Sequence, residues 1–130
     1  MDKKIIKPRF DDYDAYGHIS SAGAVHLSIQ ERFYDFYDEI LKSEKEGFKF
    51  AAKTINVDFK KECKMFFEVF KSVRIENLSA FSFSIIYDFL SSEGAIFFSV
   101  NTKMCFISPE GKLTKIPQYF LERLNNVNSF

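Results

Sequence analysis

Hydrophobic spacing changes abruptly at Gly47. Before it, Val25, Ile29, Phe33, Phe36, Tyr37, Ile40 and Leu41 recur at three- and four-residue steps, the stripe of an amphipathic helix. After it the step falls to two: Ile55, Val57 and Phe59 alternate with Asn56 and Asp58, and Phe81, Phe83, Ile85, Tyr87 and Phe89 stand opposite Ser82, Ser84 and Asp88. Two further runs have the same spacing, Met65–Phe67–Val69–Val73–Ile75 and Ile96–Phe98–Val100–Met104–Phe106. Strands that follow one another after a single long helix predict an α+β fold with a largely antiparallel sheet.

Punctuation residues set the expected boundaries. Ser20 or Ser21 is the candidate N-cap, and Gly47 the stop, of a helix over about 22–45. Lys42 and Lys45 near its far end suit the helix dipole. Breaks fall at Glu76-Asn77, Ser91-Ser92-Glu93-Gly94 and Ser108-Pro109-Glu110-Gly111. A short strand is expected within 3–10, with Pro8 confined to an edge or strand end, and a short helix after Pro117 carrying Phe120, Leu121 and Leu124. Asn125–Phe130 should fray. One helix covers one sheet face only. The apolar residues of the other parity, Phe66, Phe70, Ile86 and Leu90, therefore call for another cover, most simply a second subunit.

The 130 residues fit a single domain, 1–130, able to bury a core without staples. Lys plus Arg equals Asp plus Glu at 18 each, which argues against a nucleic-acid partner and against strong attraction to an anionic membrane. Cys63 and Cys105 lie far apart with no zinc-ligand spacing around them and read as structural thiols. Met1–Pro8 has no apolar core of signal-peptide length and no run reaches membrane-span length. A cytoplasmic protein with reduced thiols is expected. Seventeen Phe beside no Trp fits a Phe-filled core, with an apolar acyl tunnel as the alternative.

The segment Arg9-Phe10-Asp11-Asp12-Tyr13-Asp14-Ala15-Tyr16-Gly17-His18-Ile19-Ser20-Ser21 runs straight into the predicted helix. It resembles the signature of the 4-hydroxybenzoyl-CoA thioesterase family of hotdog proteins, with Asp12-Tyr13-Asp14 as D-x-D and Gly17-His18-Ile19 as G-H-V. Ile55–Phe59 and Gly111–Pro117 resemble later landmarks of that family. The resemblance implies a hotdog fold, dimers or tetramers of identical chains, and hydrolysis of acyl-CoA or acyl-carrier thioesters. It implies no metal or redox cofactor, coenzyme A entering only as part of the substrate. It places the catalytic carboxylate at Asp14 and the carbonyl-polarising backbone N–H at Ser21. Gly17 and His18 complete the candidate catalytic set, and Tyr16, Ser20, Ala24, Lys60 and Lys61 are candidate substrate contacts. Ser20-Ser21 stands where the family usually has Asn-Asn, and Ala24 where it often has Tyr; a backbone donor tolerates the first change, and the second alters pocket shape.

These roles make chemical sense. A helix N-terminus offers unpaired N–H groups and partial positive charge to an oxyanion. A carboxylate before it can act as nucleophile or as general base. The thiolate leaving group needs little acid assistance, a thiol having a pKa of about 8.5. Bland readings stand beside the sharp ones. Asp14 alone could be a loop residue, Asp12 is expected to accept loop N–H groups, and His18 can be a structural histidine. His26 reads as solvated or partly packed. Glu31 reads as a surface charge, with catalysis as its alternative. Lys60, Lys61, Lys64, Lys71 and Arg74 form a basic strip that could meet phosphates. Two other functions compete: a hotdog dehydratase or hydratase pairing His18 with Glu31, and a non-catalytic acyl-thioester-binding protein.

Overall fold

The computed structural model describes residues 4–127; position 3 of the first expected strand and the 128–130 part of the tail lie outside them. The elements run β1 (Ile5–Ile6), a short 3-10 turn (Phe10–Asp12), α1 (Ser21–Asp35), α2 (Tyr37–Lys45), β2 (Lys49–Phe59), β3 (Val69–Glu76), β4 (Ser82–Leu90), β5 (Ile96–Ile107), β6 (Leu113–Thr114) and α3 (Gln118–Asn125). The strands form one antiparallel sheet in the order β1-β3-β4-β5-β2, with β6 beside β5. This is the expected α+β hotdog arrangement, one sheet packed against a long helix.

The two-residue period decides which side chains meet α1. Phe83, Ile85, Tyr87 and Phe89 of β4 and Phe98, Val100, Met104 and Phe106 of β5 share a core with Ala24 and Leu27 of α1 and Phe120 and Leu124 of α3. Seven of the phenylalanines are buried in this core and six others are exposed, so core filling accounts for only part of the aromatic excess. Phe50, Phe83, Phe106 and Phe120 form a contiguous aromatic cluster, with Phe50 and Phe106 centroids 5.0 Å apart.

The opposite face differs from expectation. Ile86 is only 3% exposed within a single chain, lying between Arg74 of β3 and Asn101 of β5 in the register of the sheet. Around it the face is polar: Arg74 pairs with Asp88 and Glu76, and Ser99 donates to Asp88. Phe66 belongs to no strand; it sits in the β2–β3 connection at φ +73° with its ring in solvent. The parity argument for covering this face with a second subunit therefore fails for Ile86 and Phe66, while Phe70 and Leu90 are half-buried.

The helix predicted over 22–45 is two helices. Phe36 leaves helical geometry at φ −120°, ψ 26°, and its ring is wholly buried, stacked on Phe120 at 5.5 Å. Tertiary packing of one aromatic outweighs continuity of the local stripe. Gly47 ends α2 at φ +84°, which a side chain would strain. Met65 and Phe67 precede β3 instead of joining it, and the first strand keeps only Ile5–Ile6, since Pro8 has no N–H to donate. No helix among the described residues is long and apolar enough to cross a membrane.

Candidate functional site

The turn-rich segment before α1 is held by its own carboxylates. Asp14 Oδ1 accepts from the backbone N–H of Tyr16 at 2.9 Å and of His18 at 3.1 Å. The Gly17 N–H donates to the Asp14 carbonyl at 3.0 Å, and the Asp14 N–H to the His18 carbonyl at 2.7 Å. Gly17 takes φ +76° to close this turn. Among the described residues Asp14 Oδ2 has no hydrogen-bond or ion-pair partner. Asp14 is exposed, so this oxygen is open to a ligand.

The start of α1 is built for accessible amides. Ser20 is the N-cap, its Oγ accepting from the Gly23 N–H at 2.9 Å, while its carbonyl accepts from Ala24 at 2.8 Å. The Ser21 and Ala22 N–H groups have no acceptor among the described residues. Ser20 also docks backward, its N–H and Oγ donating to the Asp12 carbonyl at 2.9 and 3.2 Å. The connection after β2 forms the facing wall: Ile19 N–H donates to the Cys63 carbonyl at 2.9 Å, Met65 N–H to the Gly17 carbonyl at 2.8 Å, and His18 bridges Lys64.

Between these walls lies an open cavity of about 550 Å³, lined on one side by Asp14, His18, Ser20 and Ser21 and on the other by Phe59, Lys60, Lys61, Glu62 and Cys63. Asp14 and the open end of α1 therefore face one space. Lys60 is paired with Asp58 at 2.7 Å and the His18 Nε2 lies 3.6 Å from Glu62; Lys61 makes no ion pair among the described residues. Burial pushes the Cys63 thiol up to about 11, so it is protonated at neutral pH. Both cysteines are buried and free.

Of the residues singled out in the sequence, Asp14, His18, Ser20, Ser21, Lys60 and Lys61 come together. Gly17 shapes the loop. Tyr16 points outward, 85% exposed, and Ala24 is wholly buried on the core side of α1; neither lines the cavity. The sequence reading missed Ile19, Phe59, Glu62 and Cys63. Phe59 ends the alternating run of β2, and a strand end beside a helix start was the available signal.

Three residues read as ordinary charges have specific partners. Glu31 is not on the surface: it is 1% exposed, with Oε1 3.0 Å from Lys71 Nζ and Oε2 accepting from Gln30 at 3.0 Å. It lies off the cavity lining and does not meet His18 there. Lys71 correspondingly leaves the expected basic strip, turning inward to Glu31 and to Asp35 at 2.7 Å. Asp35 also accepts from the Tyr87 hydroxyl at 2.8 Å. His26, expected to be solvated or partly packed, is half-buried, and its Nδ1 lies 3.0 Å from Oδ1 of buried Asp12. Asp12 accepts the Arg9 N–H at 2.7 Å, in line with the expected acceptor role.

Comparison with known proteins places this geometry in context. The thioesterase-like superfamily matches over residues 8–124. No curated protein is similar in sequence. Solved structures of the same shape include a hypothetical protein from Aquifex aeolicus, with TM-score 0.81, 21% identity and 95% and 97% of the two chains covered. A 1,4-dihydroxy-2-naphthoyl-CoA thioesterase from Synechocystis has TM-score 0.83 at 16% identity, covering 97% and 96%. A thioesterase from Thermus thermophilus solved with coenzyme A and Zn has TM-score 0.79 at 20% identity, covering 98% and 95%. At these identities the likeness is one of fold.

Proposed function

The chain belongs to the thioesterase-like superfamily, and from that premise we propose that it hydrolyses acyl thioesters of coenzyme A or an acyl carrier, with Asp14 as the catalytic carboxylate. The observation that carries this reading is that Asp14 and Ser21, whose backbone amide has no acceptor among the described residues, line one cavity. The thioester carbonyl oxygen accepts from the Ser21 N–H, where the helix terminus stabilises the charge that builds on it. Asp14 Oδ2 attacks the acyl carbon, or takes a proton from a water that does so; Oδ1 stays tethered to the loop amides. When Asp14 attacks, the C–S bond breaks to leave an anhydride between Asp14 and the acyl group, which a water then hydrolyses, returning the free Asp14 carboxylate. When Asp14 acts as base, water bonds to the acyl carbon as the C–S bond breaks, and the proton on Asp14 passes to the departing thiolate. In both cases the acyl group leaves as carboxylate and the coenzyme as thiol.

Ser20, Lys60 and Lys61 line the same space, and on this reading the two lysines meet the phosphates of coenzyme A. His18 stands at the rim with Glu62. The reaction so described takes place in the cytoplasm and needs no metal or redox cofactor. Two copies join into a homodimer through β2, which ends the sheet and leaves Ile55 and Phe59 41% and 47% exposed, Phe59 also lining the cavity.

Purified protein is incubated with a panel of acyl-CoAs and a thiol reagent, wild type beside Asp14→Ala. The expected result is thiol release, reduced at least about a hundredfold by the substitution, the scale of losing a catalytic acid–base group. Release that survives moves the chemistry away from Asp14. Absence of release from every thioester favours an acyl-binding protein, and hydration of an enoyl-CoA without release favours a dehydratase.

A further inference from the structure

The Asp14 loop and the α1 amides belong to different local structures, and their relative position must be fixed by something. Asp12 supplies the tie. Asp12 is 1% exposed. Its carbonyl accepts from Ser20, and its carboxylate accepts from the Arg9 N–H at 2.7 Å, with the Arg9 guanidinium 3.7 Å away. The remaining partner comes from the second turn of α1: His26 Nδ1 lies 3.0 Å from Oδ1 and 3.2 Å from Oδ2.

We infer that His26 is a positioning residue, holding the buried Asp12 carboxylate from α1 and thereby fixing the Asp14 loop against the Ser21 and Ala22 amides. Asp12 is separated from Asp14 by Tyr13 alone, and Tyr13 bridges Ile19 on the returning strand of the same loop. Rotation of Asp12 is thus passed to both ends of the turn that carries Asp14. Without the imidazole, a nearly inaccessible carboxylate keeps only Arg9, whose side chain is 57% exposed. A buried polar group that loses a partner drives local rearrangement. The bond needs an N–H at Nδ1, the tautomer that donates to a carboxylate. Displacement of a catalytic group by a fraction of an ångström lowers turnover without abolishing binding. The consequence for turnover rests on the hydrolysis proposed above; the structural tie does not.

The test uses the full chain with His26→Leu, which keeps bulk and loses the donor, and His26→Asn, whose Nδ2 can stand near the place of Nδ1. Amide hydrogen exchange is read at Tyr16 and His18, whose N–H groups report the Asp14 turn, and kcat and KM are read on an acyl-CoA that the wild type hydrolyses. The expected result for His26→Leu is exchange about tenfold faster at Tyr16 and His18 with β4 unchanged, and kcat about tenfold lower with KM within about twofold, the scale of one lost hydrogen bond. His26→Asn restores both to within about threefold. Unchanged exchange and kcat in a folded His26→Leu protein would overturn the inference, as would a loss that His26→Asn fails to restore. If His26→Leu does not fold, His26→Asn decides alone: wild-type exchange and kcat support the tie, and a tenfold change in either refutes it. Should the wild type release no thiol from any acyl-CoA, the proposed hydrolysis fails, and the exchange measurement still decides the role of His26.

Discussion

A Cβ placed on Gly23 would stand 2.1 Å from the carbonyl oxygen of Asp12. Helix α1 can therefore seat against the loop that carries Asp14 only while position 23 has no side chain. That same carbonyl receives the Ser20 N–H and hydroxyl, so the obstructed atom is already fully engaged. Gly23→Ala is expected to destabilise the protein by about 2–3 kcal/mol through overpacking against backbone, although alanine is the better helix former. Thermal melting would show a Tm lower by about 10 °C. Turnover per folded molecule should fall as well, because the displaced element carries the candidate carboxylate. A variant as stable and active as wild type would mean that α1 and the loop can separate without cost.

A second prediction concerns the polar group beneath α1. Glu31 and Asp35 are paired with Lys71, itself 13% exposed, and Tyr87 donates to Asp35. Removing the cation leaves two carboxylates in a low-dielectric setting. Lys71→Met is expected to cost about 3–5 kcal/mol, the scale of breaking a buried ion pair from one side. Tyr87→Phe removes one hydrogen bond to a charged acceptor and should cost about 1.5–3 kcal/mol. Urea unfolding with unchanged m-values would measure both. Neither residue lines the cavity, so kcat below the melting transition should stay near wild type.

Alkaline pH should expose the buried thiol. Burial raises Cys63 from 9.0 to about 11 in the folded chain. The folded state therefore keeps a proton that the unfolded state gives up. The associated stability is fully present below about pH 9 and is lost as pH rises toward 11. Burial also raises Tyr87, with Asp35 adding to the shift, so the decline continues above pH 10. Unfolding free energy measured between pH 8 and pH 11 should fall, and Cys63→Ala should flatten the first part of that fall. At pH 7 the wild-type thiol should react slowly with a disulfide reagent, leaving released coenzyme A as the fast signal in a turnover assay.

Period and punctuation made the architecture legible, because both are local. The change of step at Gly47 announces one long helical region followed by strands, and Ser20 caps α1 through its own hydroxyl as its residue type predicts. Asp14, Ser20 and Ser21 could be placed at one site because they are neighbours along the chain. What could not be read depends on distance. The break at Phe36 is set by Phe120 in α3, and the stripe runs through it because both helices use the same core. Glu31 looked like a surface charge because Lys71, its partner, lies on β3 across the sheet. His26 gave no sign of Asp12 because that contact needs Gly23 to bring helix and loop together. Tyr16 and Ala24 were drawn from a motif, and a motif does not say which side chains turn toward a cavity.

The two lysines of the candidate site should behave differently, although they are adjacent in sequence. Lys60 is held by Asp58 at 2.7 Å, whereas Lys61 has no ion-pair partner among the described residues and lines the same cavity. An anionic substrate would therefore gain more from Lys61, since Lys60 must first give up a neutralising contact. Under the proposed hydrolysis, Lys61→Gln should raise KM for an acyl-CoA about fivefold, equivalent to ~1 kcal/mol for a solvent-exposed charge pair, and Lys60→Gln by about twofold or less. Neither should change kcat, because both would contact the phosphate-bearing part of the substrate and not the acyl carbon. The difference should shrink in about 0.5 M salt, where exposed charges are screened within a few ångströms. It should vanish with a pantetheine thioester that lacks the phosphates. A Lys61→Gln effect that persists on the phosphate-free thioester, or that appears in kcat, would place Lys61 at the reacting carbonyl instead of at the entrance.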